Sequence, residues 1–97
     1  MTRFEAVDDK NVNVDAIQRF LEQQFPNCII AHWLDKYPRA IVFSIDANGG
    51  SPLHSAIFPL EWFDNQTAET IAKFLSSSDL SGVLRAAGQT PLTVRKP

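Results

Sequence analysis

The sequence predicts an α+β fold, one antiparallel sheet layered against about three helices. Three observations carry this: a period-two apolar row at Ile41, Phe43 and Ile45; a turn signal at Asn48-Gly49-Gly50-Ser51; and helical apolar spacing on either side of that region. The predicted order is (β)αβββααβ. A three-stranded meander is joined by a C-terminal strand, all within one domain spanning residues 1–97.

The elements follow in chain order. Phe4, Ala6 and Val7 are read as a short opening strand, and Asp8 to Asn13 as a polar loop. Asn13 is placed to cap a helix, because its side-chain oxygen can accept a free N–H of the first turn. Val14, Ile17, Leu21 and Phe25 then recur on one helical face, and Pro26 stops the helix. Cys28 to Leu34 is β-branched and aromatic, and Asp35-Lys36-Tyr37-Pro38 is a turn. Arg39 to Ala47 is the clearest strand, and Leu53 to Leu60 returns antiparallel to it.

A loop of four residues pairs Ile45 with His54, Phe43 with Ala56 and Ile41 with Phe58. Asp64 or Asn65 caps a second helix whose stripe is Ala68, Ile71, Ala72 and Leu75. Ser78 caps a third, with Leu80, Val83, Leu84 and Ala87 buried and Gly88 at its end. Thr90 to Arg95 closes the sheet as a last strand.

Composition narrows the function. Hydrophobic residues make up 44% of the 97, which is the composition of a folded chain. The formal net charge is −2 and the basic residues are scattered, so the counterion release that drives nucleic-acid binding has no basic stripe to act on. The α-β-β-β-α order from Asn13 to Ser76 is similar to that of the double-stranded-RNA-binding domain. That family grips phosphates with basic residues at the start of its second helix. Here the same place reads Asp64-Asn65-Gln66-Thr67-Ala68-Glu69, which repels them, so the similarity is one of topology and no nucleic acid is expected as a partner. The N-terminal residues lack a signal-peptide apolar region and no run is long enough to span a bilayer, so the expected location is cytoplasmic, with no membrane partner.

No metal or cofactor is expected. Cys28 is the only cysteine. On one strand it would stand about 13 Å from His32, too far for both to ligate a zinc ion whose bonds are about 2 Å. The catalytic candidates are His32 and His54, with Asp46 as a nearby carboxylate. Ser51 and Ser55 do not complete a nucleophilic set, because His54 and Ser55 alternate to opposite strand faces. Ligand-binding candidates are Phe43, Phe58 and Trp62, lining a pocket between sheet and helices, with Tyr37 at its rim.

The sheet's second face is unusually apolar. It carries Val42, Leu53 and Ile57 around Ser44, Asp46 and Ser55. The first strand adds either Ile29 and Trp33 or Ile30 and Leu34, according to its register. Three helices on one side leave this face uncovered. The expected function is therefore a non-catalytic interaction or adaptor domain, a homodimer with Val42, Leu53 and Ile57 at the interface. The alternatives are a small-molecule binder with the apolar pocket above, and a small enzyme using His32 or His54 with a carboxylate.

Overall fold

A computed structural model describes residues 3–37 and 39–95, with side chains from residue 13 onward. The elements run α1 (Arg3–Gln24), β1 (Cys28–Lys36), β2 (Arg39–Ala47), β3 (Pro52–Pro59), a 3-10 turn at Leu60–Phe63, α2 (Ala68–Ser77), α3 (Leu80–Ala87) and β4 (Leu92–Thr93). The class is α+β with a four-stranded sheet of order β1-β2-β3-β4.

Three expectations need correction. The opening strand at Phe4, Ala6 and Val7, the polar loop after it and the cap at Asn13 are all absent, because α1 already runs from Arg3. No Gly or Pro interrupts residues 3–24, and Asp and Asn weaken a helix without breaking it. Second, the sheet is mixed. β1–β2 and β2–β3 are antiparallel, but β4 pairs parallel to β3, through Ala56↔Leu92 and Ile57↔Thr93. Only a tight hairpin forces antiparallel pairing. The link from β3 to β4 runs through two helices, and that crossover returns the chain in the same direction. Third, the last strand covers Leu92–Thr93 rather than Thr90 to Arg95.

The caps also move. Thr67, not Asp64 or Asn65, starts α2: its side chain accepts from the Thr70 N–H while the Thr70 hydroxyl accepts from the Thr67 N–H. Asn65 instead takes a left-handed conformation, φ 63°, in the preceding turn. Asp79 rather than Ser78 precedes α3, also left-handed. Ala72 and Val83 are exposed, and Phe74 and Ser81 turn inward in their place.

The central hairpin has the register that the four-residue loop implied, with Ile45↔His54, Phe43↔Ala56 and Ile41↔Phe58. Gly50, at φ 95°, takes the left-handed position of that loop. A bulge follows at Leu53, since Asp46 pairs with Pro52 while Ile45 pairs with His54.

One apolar cluster holds the fold together. Val14, Ile17, Leu21 and Phe25 of α1 meet Phe43 and Ile45 of β2, Ala56 and Phe58 of β3, Trp62 and Phe63 of the 3-10 turn, Ile71 and Leu75 of α2, and Leu80 and Leu84 of α3. All three helices therefore cover the face that carries Phe43 and Phe58. Ala40 and Val42 are buried yet stand outside this cluster, on the opposite face.

Candidate functional site

The register of β1 decides what the uncovered face presents. Trp33 pairs with Val42, Ala31 with Ser44 and Ile29 with Asp46. Across β2, Val42 pairs with Ile57 and Ser44 with Ser55. Because directly paired residues share a face, a cross-strand row Trp33–Val42–Ile57 runs over the middle of the sheet, continued by Thr93 beside Ile57. Of the two sets that the sequence left open, Ile29 and Trp33 lie on this face, and Ile30 and Leu34 on the helix side.

Exposure marks the face as unfinished. Ile29 and Trp33 keep 50% and 48% of their surface in water. Val42 is 9% exposed, covered by its neighbours in the row, while Leu53 and Ile57 are half-buried. On the helix side of the same edge strand Leu34 is 51% exposed, and Tyr37, at the β1–β2 hairpin end, is 91% exposed. The sequence had no way to single out Ile29, Trp33 and Leu34 together. Their shared feature is the edge strand β1, which depends on strand order.

Polar groups occupy one end of the face. Ser44, Asp46, Pro52, Leu53, His54, Ser55 and Gln89 line a cavity of about 190 Å³ beside the β2–β3 loop. Ser44 and Ser55 pair directly, whereas His54 pairs with Ile45 and projects to the helix side. Serine and imidazole are thus on opposite faces, and no nucleophile–base contact forms there.

Each histidine has a separate hydrogen-bond partner. His54 Nδ1 lies 2.9 Å from the Gly88 carbonyl, which can only accept, so Nδ1 carries the proton. Its ring packs 5.5 Å from Phe25. Gln18 donates through Nε2 to the Ile30 carbonyl and to Glu22, which leaves its Oε1 to accept from His32 Nδ1 at 2.9 Å. The His32 ring lies 5.3 Å from that of Phe43, tilted by 44°. β2 runs between the two histidines and their register is offset by two residues, a Cα separation of roughly 12 Å. They are not a proton-transfer pair, and among the described residues neither ring bonds a carboxylate.

Phe43, Phe58 and Trp62 come together in one buried aromatic stack. Phe43 and Phe58 are fully buried and Trp62 is 1% exposed. Phe58 meets Phe43 edge-on at 5.4 Å and Trp62 edge-on at 4.9 Å, and Trp62 meets Phe74 at 5.2 Å. The Trp62 indole donates to the Arg95 carbonyl, pinning the chain after β4. Outside this stack, Trp62 shares a surface cavity of about 320 Å³ with Pro59, Glu61, Thr93, Val94 and Arg95. Tyr37, 91% exposed, stands at the β1–β2 hairpin end.

Cys28 is half-buried against the core. Among the described residues no group of three or more His, Cys, Asp or Glu side chains is placed to hold a metal ion. No helix of the described chain is long and apolar enough to cross a membrane. No protein-family model matches this sequence, and neither curated proteins nor solved structures show a significant match to it. The class that fold and surface define is thus an α+β fold with a mixed four-stranded sheet, one face of which carries no helix packing among the described residues.

Proposed function

We propose that this chain is a non-catalytic interaction domain that works as a homodimer through the bare face of its sheet. One observation carries the reading. Every helix packs on the Phe43–Phe58 face, while Trp33, Val42 and Ile57 form a continuous apolar row on the other side with Ile29 and Leu53 around it. Half-solvated antiparallel sheets ordinarily alternate apolar and polar positions so that the wet face is polar. Scattered surface hydrophobics need no explanation, but a contiguous patch of several hundred Å² marks an interaction site. A twofold contact is the simplest way to cover such a face, since one patch serves both partners. Separate histidine partners and the burial of Phe43, Phe58 and Trp62 in edge-on contact support an interaction role over the enzyme and ligand-binding alternatives.

The test combines mass measurement with one charge. Light scattering on a size-exclusion column is expected to give an assembly for the wild type. Ile57→Lys, in the middle of the row, is expected to break that contact while leaving the circular dichroism spectrum intact. A wild type that stays monomeric at high micromolar concentration refutes the proposal, as does an Ile57→Lys variant that keeps the wild-type mass.

A further inference from the structure

From the direction of its backbone groups, we infer that β1 is a second self-association site, pairing antiparallel with β1 of another copy about a twofold axis at Ala31. The inference deepens the reading above, but it rests on different atoms. Val94 N–H donates to the Ile57 carbonyl, so the backbone groups of Ile57 face β4. Backbone groups alternate sides along a strand. Those of Ala56 and Phe58 therefore face β2 and bond their partners Phe43 and Ile41. Val42 and Ser44 are left to bond Trp33 and Ala31 of β1. By the same alternation, Ile30, His32 and Leu34 aim their N–H and C=O groups away from β2, at the free edge of the sheet.

Two side-chain bonds agree with this. The Lys36 N–H bonds its neighbour Asp35 rather than β2, and Gln18 reaches the Ile30 carbonyl from α1. A carbonyl has two lone pairs, so Ile30 can still accept another donor.

A long apolar edge of this kind is a template for another strand. β1 runs nine residues, and three of the large exposed hydrophobics, Ile29, Trp33 and Leu34, belong to it. Its only charges, Asp35 and Lys36, sit at its last two positions, where they do not guard the middle of the edge.

The strand is also complementary to itself. With Ala31 opposite Ala31 of the second copy, Ile29 stands opposite Trp33 on the bare face, and Ile30 opposite His32 and Cys28 opposite Leu34 on the helix face. Ile29, Trp33 and Leu34, the three exposed apolar side chains, each then gain an apolar neighbour, and the small alanine leaves room at the axis. Asp35 and Lys36 face Asn27 and Pro26, so no like charges meet. An axis moved by one residue to His32 would set Ile29 against Asp35.

Area argues for the second contact as well. The three long strands cover roughly 15 Å by 27 Å in plan. That footprint, about 400 Å², is roughly half of the about 800 Å² per partner that a standard interface buries. Edge pairing joins two sheets into one continuous sheet and doubles the face available for stacking. Face and edge contacts together give a four-chain assembly.

The experiment separates the two contacts. The wild type is expected to run with the mass of four chains. Leu34→Lys, which places a charge at the edge on the helix side, and Ile57→Lys, which disrupts the face two strands away, are each expected to run as two chains. Ala31→Cys is expected to form a disulfide-linked dimer under mild oxidation, because residues opposed across such an axis have Cα atoms about 4.5 Å apart, within disulfide range. The wild type, whose Cys28 faces Leu34 of the other copy, is expected to form none. A folded Leu34→Lys variant with unchanged mass, or an Ala31→Cys variant that stays uncrosslinked, overturns the edge contact whatever Ile57→Lys does. Crosslinking of Trp33→Cys in place of Ala31→Cys overturns the Ala31 axis.

Discussion

Phe58→Ala is the most direct test of whether the space between sheet and helices is filled or hollow. Phe58 is fully buried. Its ring lies 5.4 Å from Phe43, 4.9 Å from Trp62 and 6.1 Å from Phe63. Removing a buried phenylalanine costs about 3–5 kcal/mol, the lost transfer energy plus the cavity left behind. Edge-on contacts of the kind made to Phe43 and Trp62 are worth about 0.5–1.5 kcal/mol each, which sets the loss at the upper end of that range. A chain of this length has roughly 5–15 kcal/mol of total stability, so the variant keeps at most a fraction of it. The corresponding fall in Tm is on the order of 20 °C. Urea melts followed by circular dichroism, at matched protein concentration, measure the loss. A loss under about 1 kcal/mol would mean that the three rings do not pack as described, and that a ligand-sized space replaces part of the core.

Further predictions concern the turns, the cap and the surface. Gly50→Ala is expected to cost about 1–2 kcal/mol and Gly49→Ala far less; neither Cβ would meet an atom, so only the left-handed φ of Gly50 separates them in a thermal melt. Thr67→Ala removes one half of the reciprocal cap of α2 and is expected to cost about 0.5–2 kcal/mol in the same assay, with Thr67→Ser retaining most of it. With no basic stripe and acidic residues around the entry to α2, a gel-shift titration with duplex RNA or DNA at physiological salt is expected to show no saturation at low micromolar protein. A chelator is expected to leave the melting temperature unchanged, since no group of metal-binding side chains is assembled among the described residues.

Local patterns determined much of this protein. The spacing of Val14, Ile17, Leu21 and Phe25 defines the buried face of α1, because a helix repeats every 3.6 residues whatever it packs against. Alternation at Ile41, Phe43 and Ile45, with the glycine loop after it, determines the β2–β3 register, because a short loop leaves the strands few ways to pair. Tertiary structure decided the rest. The direction of β4 was set by a two-helix crossover, which sequence periodicity does not encode. The choice between Ile29 with Trp33 and Ile30 with Leu34 turned on one residue of β1 register, since both faces of that strand are apolar and pattern cannot choose between them. The same holds for Phe43, Phe58 and Trp62. A buried aromatic ring and an exposed one read alike in sequence, and only the tertiary structure brings these three rings into close edge-on contact.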